Sequence, residues 1–249
     1  VIRVYGILNT VAAEAIGPDA NDTDVIADVP RYVAASVFDS PELRRTINGT
    51  PFPGTFVLDA RGRVTSRYFE EFYRERSSTA TVMLKSGIGL SPIEAIQGTT
   101  AQLKFTAYPS NTIVTNGMRF SLVLEVEPNP GMHVYAPGAK ELGYRVIGFN
   151  MASSDFVRYE PVQYPESEIY HFEPLDEFVP AYQGPFTLLQ EAVIVASAEI
   201  EAELKATAAI TLSGSLDYQA CDDAICYLPA SVPISFTLEF QQLDYQRLD

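Results

Sequence analysis

From about residue 80 onward, apolar and polar positions alternate along the chain with a period of two. Leu103, Phe105 and Ala107 take every second place, with Lys104 and Thr106 between them, and Phe120, Leu122, Leu124 and Val126 repeat the pattern. Successive side chains of a strand point to opposite faces, so this reads as sheet with one face buried. Further strand candidates are Arg145 to Phe149, Phe186 to Ala196, Ala206 to Ser213 and Val232 to Phe240, separated by turn clusters such as Pro128-Asn129-Pro130-Gly131. Ala192 to Lys205 could be read as helix, but the β-branched run Val193-Ile194-Val195 favours strand. Several such strands without a strong helix predict a mostly β chain folded as an antiparallel sandwich.

Residues before 80 are patterned differently. Val1 to Leu8 reads as the end of a helix. Asn9 to Asn48 reads as a long, acidic, Ala-rich connection with a helix-start pattern at Ser40-Pro41-Glu42-Leu43. A Pro/Gly turn then leads into an expected strand, Thr55 to Leu58, a tight Asp59-Ala60-Arg61-Gly62 turn, a second strand, Val64 to Phe69, and a charged run from Glu70 to Arg76. Two strands and a helix or so are too few to close a layered core alone. The expected organisation is therefore a partial α/β segment over residues 1–82 and a β-sandwich domain over residues 83–249.

Composition narrows the function. With 47% hydrophobic residues the chain can supply real cores. A formal charge of −15, from 32 acids against 17 bases, argues against nucleic acid and against an anionic membrane surface as partners. No apolar run approaches the roughly 20 residues of a membrane span, so direct membrane insertion is not expected. The chain starts without Met or a secretory signal and reads as cut at its N-terminus, so an export signal would lie upstream of Val1.

The candidate chemistry is concentrated in one loop. Cys221 and Cys226 are the only cysteines, and both lie in Tyr218-Gln219-Ala220-Cys221-Asp222-Asp223-Ala224-Ile225-Cys226-Tyr227-Leu228-Pro229. Closing so short a loop contributes only on the order of 2 kcal/mol in the chain-entropy model, so a structural clamp and an exchanging pair are both open readings. Asp217, Asp222 and Asp223 crowd Cys221, and negative neighbours raise a thiol pKa, which suits a pair that is attacked rather than one that attacks. His133 and His171 are the only histidines and have no metal-site spacing to each other or to the cysteines. No phosphate loop or nucleophile elbow is present. Glu70-Glu71 and the Glu199/Glu201 pair read as solvated faces. No metal and no cofactor is expected.

Two resemblances carry the reading further. Pro51-Phe52-Pro53-Gly54-Thr55-Phe56-Val57-Leu58-Asp59, followed by Gly62-Arg63-Val64, resembles the C-terminal half of a redoxin of the AhpC/TSA group, within the thioredoxin superfamily. That resemblance implies a cis-proline at Pro53, facing an active cysteine. The half of such a fold that carries the catalytic cysteine is absent here, and no cysteine precedes Cys221, so this segment alone cannot perform thiol peroxidase or thioredoxin chemistry.

The second segment, over about residues 95–240, resembles the periplasmic N-terminal domain of the thiol:disulfide interchange protein DsbD, an immunoglobulin-like redox module. The residues that carry this are Asn129-Pro130-Gly131-Met132-His133-Val134-Tyr135, Tyr164-Pro165, Asp176-Glu177-Phe178 with Tyr182-Gln183-Gly184, and Tyr218 to Pro229. The resemblance implies an exchanging Cys221–Cys226 pair; if it exchanges, Cys226→Ser should trap a reduced thioredoxin-fold partner as a mixed disulfide through Cys221. It also implies a capping loop at Asp176, Glu177 and Phe178 whose aromatic ring lies over the disulfide. His133, Tyr135, Tyr218, Asp222 and Asp223 are placed around the pair. The expected function is electron relay with a thioredoxin-fold partner, in cis or in trans, in the periplasm or an otherwise exported setting. If redox-active, the chain is a thiol-disulfide oxidoreductase. The rivals are a binding or scaffold module with a static disulfide, and an accessory domain of a peroxidase whose catalytic cysteine lies upstream.

Overall fold

The computed structural model describes residues 2–7, 52–69, 75–92, 94–172, 176–204 and 206–242, and the chain divides into two units, Val1–Tyr73 and Arg74–Asp249. In the first unit, strands β1 (Ile2–Ile7), β2 (Phe52–Leu58) and β3 (Val64–Phe69) form an antiparallel sheet in that order. The Asp59 carboxylate closes the β2–β3 turn by accepting the backbone N–H groups of Arg61 and Arg63, at 2.8 and 2.9 Å. Gly62 holds the φ of +80° that this turn requires.

Two expectations for this unit are corrected. Residues 2–7 are strand rather than helix end, because Val, Ile and Tyr favour extended backbone and β1 pairs along its whole length with β2, from Ile2 opposite Val57 to Ile7 opposite Phe52. Pro53 is not in a cis bond; the described residues contain none, and the chain runs extended through Pro53, which pairs with Gly6. The expected helix start at Ser40 lies outside the described residues, as does Glu70-Glu71. A three-stranded antiparallel sheet does not by itself show a thioredoxin-like fold.

The second unit opens with β4 (Arg76–Ser77) and helix α1 (Thr79–Lys85), which Ser78 caps by accepting the Thr81 N–H at 3.1 Å. Strands β5 (Ile96–Thr99), β6 (Leu103–Pro109), β7 (Ile113–Val114), β8 (Met118–Pro128) and β9 (His133–Tyr135) follow, then a 3-10 turn over Pro137–Leu142. Next come β10 (Gly148–Met151), β11 (Val157–Tyr159), β12 (Glu168–Phe172), β13 (Glu177–Tyr182) and β14 (Phe186–Ile194). Helix α2 (Ala198–Leu204), β15 (Ala209–Tyr218), β16 (Ala220–Cys221) and β17 (Ala230–Phe240) complete it.

One sheet has the order β11-β14-β8-β6-β5 and a second the order β10-β15-β17-β7. Their alternating apolar positions meet: Leu103, Phe105, Leu122 and Leu124 from the first pack in one buried cluster with Leu212, Leu216, Phe236 and Leu238 from the second. This is the mostly β, antiparallel, immunoglobulin-like sandwich, with short parallel pairings where β4 meets β8 and β7 meets β17. The alternative helix reading of residues 192–205 is half right. Strand β14 ends at Ile194, and residues 198–204 are helical with Leu204 buried, because Ala, Glu and Leu there favour helix once the β-branched run has ended.

The outer face of β8 is buried as well. Arg119 reaches Glu75 at 2.9 Å and Glu191 at 3.2 Å, Lys85 reaches Glu191 at 2.7 Å, and the Ser121 hydroxyl donates to Thr81 at 3.1 Å. Residues 75–85 are thus tied to the sandwich by buried charge and hydroxyl contacts. The division between units falls after Tyr73 for that reason, rather than at the expected 82/83.

Candidate functional site

A third sheet, in the order β12-β13-β9-β16, carries the cysteines. Cys221 ends β16 directly opposite His133 of β9, and the chain then turns back on itself. The Asp222 carboxylate makes the turn by accepting the N–H groups of Ala224 and Ile225, at 2.8 and 2.7 Å, and the Tyr227 hydroxyl at 2.9 Å. Those three donors hold its pKa below the usual carboxylate value. Tyr227 N–H then closes on the Ala220 carbonyl at 2.9 Å, which brings Cys226 beside Cys221 in a disulfide with Cα atoms 4.0 Å apart.

The two sulfurs sit in unlike surroundings. Cys221 is fully buried, in a small cluster with Tyr135, Ala139, Val179 and Ala181, whereas Cys226 is exposed. The Tyr135 hydroxyl lies 3.1 Å from Cys221 Sγ and 3.4 Å from Cys226 Sγ. A disulfide has no proton to give, so the phenol is the donor, shared between the sulfurs and nearer Cys221. Burial raises the Tyr135 pKa, and the charges of Tyr144, Tyr170 and Glu177 add to this, so the phenol keeps its proton.

Aromatic rings hold Tyr135 in place. Tyr144 packs against it with centroids 4.3 Å apart, and His133 meets it edge-on at 5.3 Å. Tyr170 packs against His133 with centroids 4.0 Å apart. Each outer ring is anchored by an acid: Tyr144 donates to Glu177, and Tyr170 donates to Asp223 at 2.8 Å. His133 is 1% exposed and its Nε2 has no hydrogen-bond partner among the described residues. Burial lowers its pKa, against the raising influence of Asp223 and then Asp222, so the imidazole is neutral in the oxidised protein.

The structure thus brings Cys221, Cys226, His133, Tyr135, Glu177, Asp222 and Asp223 together. It does not bring the other three expected residues. Phe178 neighbours Val179 in β13, and Val179 faces the Cys221 cluster, so alternation turns Phe178 to the opposite face. There its ring stacks on His171 at 4.5 Å and is 64% exposed, which is not the position of a lid over the disulfide. Asp176, at φ +51°, accepts a hydrogen bond through Oδ1 from the same His171 at 2.8 Å. Tyr218 points into the sandwich core, and its hydroxyl donates to Thr100 at 2.9 Å.

Sequence reasoning missed Tyr144 and Tyr170, and quoted Tyr227 in the cysteine motif without giving it a role. Tyr144 follows Gly143, whose φ of +90° ends the 3-10 turn and returns the chain toward Tyr135. That Gly-Tyr step was the available signal; Tyr170 had none, since only the β12–β13 register aligns it with Val179. Among the described residues no cluster of three or more His, Cys, Asp or Glu side chains could hold a metal, and no helix is long and apolar enough to cross a membrane.

The model of the family described as "Thiol:disulfide interchange protein DsbD, N-terminal" matches residues 101–237. No curated protein is significantly similar to the chain in sequence. Among solved structures, the N-terminal periplasmic domain of ScsB from Proteus mirabilis matches at 15% identity and a TM-score of 0.37, over 57% of this chain and 49% of that one, so the match spans about half its length. The GAE domain of yeast GGA1 matches at 8% identity and a TM-score of 0.30, over 56% and 95%. Likenesses at these scores bear on neither fold nor function.

Proposed function

The chain belongs to the family of the N-terminal domain of the thiol:disulfide interchange protein DsbD, and from that premise we propose that its sandwich unit exchanges the Cys221–Cys226 disulfide with a dithiol partner of thioredoxin fold. The observation that carries this is the asymmetry of the pair. Cys226 is exposed to an incoming thiolate, while Cys221 is buried with a phenol donating to its sulfur, as a leaving group needs. Ile225 and Leu228, 54% and 89% exposed, give the partner an apolar surface next to the attacked sulfur.

A partner thiolate attacks Cys226 Sγ, the bond to Cys221 breaks, and its electron pair leaves on Cys221 Sγ. The partner's second thiolate then attacks the partner sulfur of the mixed disulfide and frees Cys226. Two electrons pass from the partner, which leaves as a disulfide, to the chain, which becomes a dithiol. The periplasm or another exported compartment is the setting in which such a disulfide persists. The resemblance of residues 1–82 to a redoxin makes a partner in cis part of the proposal; the full-length gene sequence tests it by showing or lacking a cysteine upstream.

On this reading a partner is trapped through Cys226 rather than through Cys221. With Cys221→Ser the resolving sulfur is gone. The remaining Cys226, activated as an aromatic mixed disulfide, should capture a reduced thioredoxin-fold protein, whereas buried Cys221 in Cys226→Ser should capture it far more slowly. Equal capture by the two variants, or none, would sink the proposal. A reduction potential below about −300 mV would mark a structural clamp instead.

A further inference from the structure

Resting on the exchange reading above, we propose that His133 is the proton acceptor of the reduced site, so that Cys221 is held after reduction as a thiolate paired with a His133 imidazolium. His133 and Cys221 are directly paired residues of β9 and β16, so their side chains share one face of the sheet. The imidazole is buried, and its Nε2 makes no hydrogen bond among the described residues. Leaving a buried nitrogen unpartnered is unfavourable, and the oxidised site makes no use of it.

The groups that face His133 all point to the same need. Tyr135 lies beside it on its own strand, and Tyr170 packs on it from β12. Asp222 and Asp223, from the loop after β16, act on it through their charges, and Glu177 of β13 enters the same pocket through Tyr144. This set holds phenols and carboxylates, and His133 is its one member that can become a cation. A thiolate released on Cys221 is therefore buried among negative groups, with a Tyr135 hydrogen bond and no other countercharge in the set. Protonation of His133 supplies that charge.

The proton balance closes without a further reagent. The partner dithiol loses two protons as it is oxidised; one ends on Cys226, and the other, arriving through solvent, is held by His133 Nε2 rather than by Cys221 Sγ. In the oxidised state there is no thiolate, and burial keeps the ring neutral. An opposite charge appearing across the β9–β16 pair then favours the charged imidazole.

The test uses the whole chain, reduced by a small dithiol so that no partner protein is needed. NMR should show the His133 ring titrating at a higher pH in the reduced protein than in the oxidised one, by at least about one pH unit, a tenfold change in proton affinity. In Cys226→Ser, where Cys221 is the only thiol, ultraviolet thiolate absorbance should appear at a pH at least about one unit below that seen when His133→Gln is added. A His133 midpoint unmoved by reduction, or coincident thiolate curves, overturns the proposal. The wild-type titration decides alone if His133→Gln fails to fold. A chain that shows the coupled titration but is not reduced by thioredoxin-fold proteins refutes the partner reading and leaves this inference standing. Exchange with a partner but no coupled titration does the reverse.

Discussion

Tyr135→Phe removes one hydroxyl and keeps the ring that Tyr144 and His133 pack against. In the oxidised protein the lost bond is a neutral one to sulfur at 3.1 Å, worth about 0.5–1.5 kcal/mol. When the disulfide is attacked at Cys226, charge grows on Cys221 Sγ, and the same donor then serves a charged acceptor, worth about 1.5–3 kcal/mol. The difference, about 1–2 kcal/mol, is what the phenol contributes to lowering the barrier, since only an interaction stronger in the transition state than in the ground state accelerates a step. Reduction of Tyr135→Phe should therefore be roughly 5- to 30-fold slower than reduction of the wild type. The assay is loss of the disulfide under excess dithiol at fixed pH, quenched with a maleimide that shifts the reduced protein on a gel. Thermal unfolding of the oxidised variant should change little, because the ring packing survives. Rates within twofold of wild type would show that Tyr135 does not stabilise the leaving sulfur.

Arg119→Met removes one cation from buried Glu75 and Glu191, which keep Arg158 and Lys85, and should cost about 1.5–3 kcal/mol, read as a drop in Tm of roughly five degrees. Burial alone would raise the Glu191 pKa, but the hydrogen bond and charge of Lys85, with Arg119 and Gln163, hold it below its ordinary value. A carboxylate whose folded pKa is depressed contributes stability above its unfolded pKa and loses it as the pH falls through the folded one. Glu191→Gln should thus flatten the acid side of the stability profile below the ordinary carboxylate range, near 4.3 for Glu, in denaturant titrations at stepped pH. Gly214→Ala would place a Cβ 2.5 Å from the Asn150 backbone oxygen, so β10 must shift, and a loss of about 1–3 kcal/mol is expected in the same titrations.

The sandwich was legible because its strands are long and half-buried. In Leu103 to Ala107 and Phe120 to Val126 the residues that alternate are the ones that meet in the core. The sheet bearing the site was not, since β9 and β16 have three and two residues, too few to show a period, and β13 contains Pro180. Such strands are specified by what they pack against. The cost was Phe178, the aromatic of the expected cap, which strand alternation beside Val179 turns away from the disulfide. The boundary after Tyr73 was hidden for a related reason, because buried Glu75 and Thr81 read locally as a charged run and a polar helix start.

The acids around the cysteines show how sequence adjacency and spatial role part company. Read along the chain, Asp217, Asp222 and Asp223 are three charges bearing on one thiol. In the fold, Asp217 accepts from Asn150 at 2.6 Å and Ser215 at 3.0 Å, Asp222 builds the turn, and Asp223 anchors Tyr170. Their first effect is to fix geometry: the Asp222 turn presents Cys226 to solvent, and the Asp223–Tyr170 bond holds the ring that packs on His133. What remains electrostatically is a pocket in which a thiolate on Cys221 is disfavoured unless something beside it becomes positive. The acids and the buried histidine are therefore one arrangement, and charge removed from the loop should show first in the proton affinity of His133 and only then in the reactivity of Cys221.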